Sequence, residues 1–144
     1  MSTPPTDRAD AIRRAADTAV FCSKRYFDLA LAEEHAAEAF DRHFYPEGAA
    51  RQLAAIYASG PRGEVLPTVT APTLVIHGLD DTLITPSGGE RTAELVPGAN
   101  LLKVVGMGHD LPSPLWPLVT GSILGFTSMV EATSATPAGV AGVA

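Results

Sequence analysis

Cysteine is almost missing from this sequence. Cys22 is the single thiol. One thiol cannot close an internal disulfide, so nothing in the chain calls for an oxidising compartment. Aromatic residues are scarce at 6%, which leaves a core to be built mostly from aliphatic side chains. No run of about 18 apolar residues occurs, so a membrane-spanning helix is not expected. The opening residues, MSTPPTDRAD, lack a basic stretch followed by an apolar one, and a secretory signal is not expected either. Basic residues number 10 against 16 acidic ones, with no basic cluster to offset the net charge of −6. That balance disfavours nucleic acid and anionic membrane as partners. The expected location is cytoplasmic.

What is present suits an ordinary globular domain. The hydrophobic fraction is 46% and the charged fraction 18%, over 144 residues. This allows one domain at most. The chain divides into two halves of different character. Residues 1–6 are expected to be loose. Residues 7–60 read as helices: one from Asp7 through Ile12 and Ala19, one over 29–44, and one over 49–58. In the third, Leu53, Ile56 and Tyr57 mark an apolar face. Tyr45-Pro46 and Gly60-Pro61 are breaks between helices. Residues 66–129 read as strand, helix, strand, helix. The strands are 73–77 and 101–105, the helices 89–96 and 115–129. The tail 132–144 has small residues and no periodicity, and disorder is expected there.

A strand, a crossover helix and a second strand imply a parallel pair. Both trailing loops then lie at the carboxyl edge of the sheet, where open α/β sheets place their sites. Asp80 and Asp81 follow the first strand; His109 follows the second. Parallel neighbours are about 4.8 Å apart, so a carboxylate on one loop can meet an imidazole on the other. A carboxylate bonded to one ring nitrogen sets the tautomer and leaves the other nitrogen free to take a proton from a hydroxyl.

The residues Pro72-Thr-Leu-Val-Ile-His-Gly78-Leu-Asp-Asp81-Thr-Leu-Ile-Thr-Pro86 resemble the acid loop of α/β-hydrolases. The residues Val96-Pro-Gly-Ala99 and Gly106-Met-Gly-His109-Asp-Leu-Pro112 resemble that superfamily's histidine segment. The likeness is greatest to bacterial esterases of the aclacinomycin methylesterase type. It implies a partial α/β-hydrolase fold of the α/β class, corresponding to the C-terminal half. The helical N-terminal part would resemble the end of the cap. It also implies that Asp81 is the catalytic acid and His109 the base of a serine ester hydrolase, with a small-molecule ester as substrate and no cofactor. The superfamily's nucleophile motif, G-x-S-x-G, does not occur in these residues. The pair is therefore expected to be inactive by itself, and to need a partner that supplies the N-terminal half. The alternatives are a non-catalytic remnant or interaction module that uses an exposed sheet edge, by self-association or pairing, and a cofactor-free haloperoxidase or dehalogenase of the same fold.

Other residues of reactive type carry weaker readings. His77, Asp80, Asp81, His109 and Asp110 are of metal-ligand type but lack ligand spacing, and no metal is expected. His77 is expected to be a satisfied core residue. His35 and His43 are expected to be solvated or capping. Cys22 is expected to act as a small hydrophobe. Ser23, Ser87, Ser113 and Ser122 do not sit on strand-to-helix elbows, and none is expected to be a nucleophile. Met107 and Trp116 are expected to line a core or pocket.

Overall fold

The structure, a computed structural model, describes residues 4–135. Residues 1–3 and 136–144 lie outside the described residues, and with them most of the two termini expected to be loose.

Asp7 starts the first helix. Its carboxylate accepts the Asp10 N–H at 2.8 Å, the bond an N-cap makes to an orphan amide. Helix α1 (Arg8–Arg13) is shorter than its sequence pattern suggests, because the chain tightens to a 3-10 helix over Arg14–Val20. There the Thr18 hydroxyl donates to the Ala15 carbonyl at 2.7 Å, competing with regular helix bonding. Asp28 caps α2 (Leu29–Arg42) through the Leu31 N–H. The Arg8 guanidinium ties α1 to α2 by a two-pronged contact with Asp41 at 2.8 and 2.9 Å. Both groups are half exposed, so solvent screens the tie and it contributes little. After the break at Pro46, α3 (Glu47–Ser59) follows. The apolar face expected on it is not covered: Ile56 and Tyr57 are exposed, Tyr57 at 76%.

The second half forms the predicted βαβα unit. Strands β1 (Leu74–Gly78) and β2 (Asn100–Val104) pair in parallel, with Leu74 facing Asn100 and Gly78 facing Val104. Among the described residues this is a two-stranded sheet with both outer edges open. The crossover helix α4 (Pro86–Leu95) begins earlier than its apolar pattern. Pro86 occupies its first turn, where a missing N–H costs nothing. The last helix, α5 (Trp116–Ala135), runs past Ala132, the expected start of the loose tail. Its Thr120, Ser122, Thr127 and Thr133 hydroxyls all turn back onto carbonyls of the preceding turn.

The core sits where β2, the loop after it and the start of α5 meet. Val104, Met107 and Leu115 are buried together, with Tyr26, Ile76 and Leu102 packed around them. Tyr26 comes from the helical half, so the two halves share this cluster. Among the described residues, no helix is long and apolar enough to cross a membrane.

Candidate active site

Because β1 and β2 run the same way, their carboxyl-end loops emerge side by side. The loop after β1 is pinned to the loop after β2 by backbone bonds. Leu79 N–H donates to the Val104 carbonyl and Asp80 N–H to the Met107 carbonyl, each at 2.9 Å. Gly78 makes this approach possible. A Cβ at that position would collide with the Met107 carbonyl oxygen and come within 2.6 Å of that of Gly108.

Asp81 is buried in this junction at 7% exposure. Its two oxygens divide the work. Oδ1 accepts the backbone N–H groups of Leu83 and Ile84, both at 2.9 Å, which folds the loop around the carboxylate. Oδ2 faces His109 Nδ1 at 2.9 Å. Burial raises the Asp81 pKa. The bond from His109, the amides of Ile84 and Leu83, and the attraction of the His109 ring together outweigh it and hold the carboxyl below its ordinary range. Asp81 is thus a carboxylate at neutral pH. A carboxylate can only accept, so His109 carries its proton on Nδ1, and Nε2 presents a lone pair when the ring is neutral.

His109 is 46% exposed at its side chain. Among the described residues no hydrogen bond reaches Nε2. The ring borders a cleft of about 390 Å³ whose walls include His77, Asp81, Met107, Leu111 and Val119. His77 belongs to the site rather than to the deep core. Its Nε2–H donates to the Ile84 carbonyl at 2.9 Å and lies 3.7 Å from Asp81 Oδ2. It braces the loop after β1 through the Ile84 carbonyl.

The structure therefore brings Asp81 and His109 together, and among the described residues no serine hydroxyl bonds either of them. Ser87 bonds Thr85, and Ser122 bonds the Leu118 carbonyl within α5. Ser113 lines a separate groove of about 870 Å³ between α2 and residues 110–116, along with Cys22, His35 and Trp116. Trp116 is half exposed and donates to the Leu111 carbonyl, while Met107 is buried as expected. Burial and the neighbouring Asp110 charge push the Cys22 thiol up, the opposite of what a nucleophilic thiol needs. Among the described residues no three His, Cys, Asp or Glu side chains are grouped to hold a metal ion.

Sequence reasoning missed Ser23 and Asp110 as parts of the site. Ser23 is fully buried. Its Oγ donates to Asp110 Oδ1 at 2.6 Å and accepts the Gly108 N–H at 2.7 Å. Nothing local in either segment signals a contact between residues 85 positions apart.

No protein-family model matches the chain. A coproporphyrinogen III oxidase of Propionibacterium freudenreichii subsp. freudenreichii is 38% identical over 55 residues, which is 38% of this chain and 10% of that protein. Among solved structures, the esterase RhEst1 from Rhodococcus sp. ECU1013 is similar with a TM-score of 0.59 at 23% identity, over 85% of this chain and 44% of the esterase. A meta-cleavage product hydrolase from Pseudomonas fluorescens IP01 superposes with a TM-score of 0.48 at 23% identity, over 87% of this chain and 44% of that chain. This chain thus spans less than half the length of each solved relative. The parallel strand pair, its crossover helix and the likeness to the esterase together show the architecture: the chain carries part of an α/β-hydrolase fold.

Proposed function

We propose that this chain supplies the acid–base half of a serine ester hydrolase. In this reading His109 is the general base, Asp81 orients it, and the nucleophilic hydroxyl and oxyanion hole come from outside these 144 residues. The observation that carries the reading is the 2.9 Å contact between a buried carboxylate and an imidazole that borders an open cleft. Such a pair does one job well. As a hydroxyl oxygen attacks an ester carbonyl, Nε2 takes the hydroxyl proton and Asp81 stabilises the imidazolium. The proton then passes to the departing alkoxide, which leaves as the alcohol. Water repeats the sequence to release the acid.

Co-production tests this. The chain would be expressed with an N-terminal α/β-hydrolase half that carries a G-x-S-x-G motif, and assayed on short-chain p-nitrophenyl esters and for fluorophosphonate labelling. Turnover and labelling should appear with the partner and disappear with His109→Ala. A complex that turns over no ester, or whose turnover ignores His109→Ala, would refute the reading.

The second reading is a non-catalytic interaction module. The open edges of the two-stranded sheet favour it, as does Val105, 75% exposed just beyond β2. Unpaired β-branched edges recruit other strands. Concentration-dependent association that survives His109→Ala but is lost with Val105→Lys would support this reading over the first.

A further inference from the structure

Packing cannot be what holds the His109 ring, since the side chain is half exposed. Beyond the Asp81 bond its position depends on its backbone, and that backbone is held from an unexpected direction. Residues 20–23, the last residue of the 3-10 helix and the three that follow it, lie across the histidine loop as a strap. Gly108 N–H donates to Ser23 Oγ at 2.7 Å, and His109 N–H donates to the Phe21 carbonyl at 2.8 Å. Asp110 Oδ1 accepts both the N–H and the Oγ–H of Ser23, each at 2.6 Å. Three consecutive residues are thereby fixed, one on each side of the histidine and the histidine itself. The same strap reaches the acid loop, where the Thr82 hydroxyl donates to the Val20 carbonyl at 2.7 Å. One segment thus holds both loops whose separation sets the Asp81–His109 contact.

The loop is shaped for this strap. A Cβ on Gly108 would lie 2.5 Å from the Cys22 carbonyl carbon and 2.6 Å from the Ser23 nitrogen. Glycine is thus the residue that lets the two backbones touch. Gly106, with φ of 78°, turns the chain sharply enough to deliver residues 107–110 to the strap. Ser23 sits at the centre, without solvent contact, as donor to a carboxylate and acceptor from an amide. Removing its hydroxyl strands the Gly108 N–H and takes one of the two Ser23 donors from Asp110.

We propose that Ser23 and Asp110 are positioning residues for His109. They act through the backbone of residues 108–110 to keep Nδ1 aimed at Asp81 and Nε2 at the cleft. The proposal rests on the reading of His109 as a base, but its structural content can be measured in this chain alone.

The test is the tautomer of the His109 ring, read by nitrogen-15 NMR of the full chain at a pH where the ring is neutral. The backbone amide shifts of β1 and β2 serve as the fold control. The wild type should hold the Nδ1–H form. Ser23→Ala and Asp110→Ala should lose that dominance while the strand shifts stay in place. Asp110→Asn keeps an Oδ1 acceptor for both Ser23 donors and should restore the wild-type tautomer. If Ser23→Ala does not fold, the Asp110 pair carries the test, because Asp110 is only partly buried. Retention of the Nδ1–H form in Asp110→Ala, or its loss in Asp110→Asn, would overturn the proposal. In the complemented enzyme Ser23→Ala should lower kcat with KM unchanged. Absence of any esterase would instead remove the general-base reading and leave the tautomer result standing.

Discussion

Replacing Asp81 by alanine and by asparagine separates what the carboxylate does for the fold from what it does for His109. Alanine removes three hydrogen bonds at once, from Leu83 N–H, Ile84 N–H and His109 Nδ1–H. Bonds to a charged acceptor contribute about 1.5–3 kcal/mol each. Leu83 and Ile84 are about half exposed, however, so water replaces the lost acceptor at their amides. The sum for Asp81→Ala is then about 2–4 kcal/mol, a large share of the roughly 5–15 kcal/mol a small domain has. Asparagine keeps an oxygen for both amides and places an NH₂ group against His109. That group donates, so the ring must turn its Nδ1 into an acceptor and carry the proton on Nε2. Asp81→Asn should therefore cost only about 1–2 kcal/mol, yet lower the activity of a complemented enzyme by about 10³–10⁴. Urea titrations at neutral pH check the first statement through the midpoint at constant slope. The pH dependence is specific. Because the Asp81 pKa is held below its ordinary 3.8, the charged form is the one the fold favours. Its contribution is present above that ordinary value and is lost as pH falls through the lower folded value. The stability gap between wild type and Asp81→Asn should be open above the ordinary carboxylate range and close as pH falls below it. An asparagine variant as unstable as the alanine one, or a gap that ignores acid, would refute this account of the acid loop.

Gly108→Ala should destabilise the chain by about 1–3 kcal/mol through its collision with the strap, measured by urea denaturation. Gly121→Ala is the matched control: nothing lies within 4 Å of a Cβ there, so alanine in mid-helix should leave stability unchanged or raise it by about 0.5–1 kcal/mol. Cys22 should react with iodoacetamide at neutral pH more slowly than a free thiol, since burial and Asp110 both raise its pKa. Alkylation as fast as that of glutathione would contradict the environment described for it.

The half of the molecule that could be read from its sequence is the half built from local signals. Leu74, Val75 and Ile76 are apolar, two of them β-branched, and the run closes at His77 and Gly78, which is how a short strand is written. Asp81 and His109 follow the two strands, and parallel pairing brings them together without further information. The helical half follows other rules. α3 shows an apolar face at Leu53, Ile56 and Tyr57, but Ile56 and Tyr57 stay exposed, because periodicity reports that a face exists and not what covers it. The sequence pattern ends the helix near residue 129, whereas α5 continues through Ala135. Small residues weaken the apolar pattern there, while the Thr133 hydroxyl finds the Met129 carbonyl inside a continuing helix. Ser23 stands on no strand-to-helix elbow, so its segment carries no local signal. Its importance depends on a partner 87 residues away, and no spacing within either segment records that pairing.

That separation has a consequence for the order in which the molecule assembles. The sheet closes between Leu74 and Asn100, whereas the strap closes between Ser23 and Asp110. Loop-closure entropy makes the longer connection costlier by about 1 kcal/mol, before the helical half contributes its own ordering. The βαβ unit can therefore form while the strap is still free, and Asp81 can be seated by its own loop before His109 is aimed at it. In hydrogen exchange the amides of Gly108 and His109 should open at lower free energy than those of β1 and β2. Asp81 is thus seated with the sheet, while His109 is delivered last, by the docking of the N-terminal half.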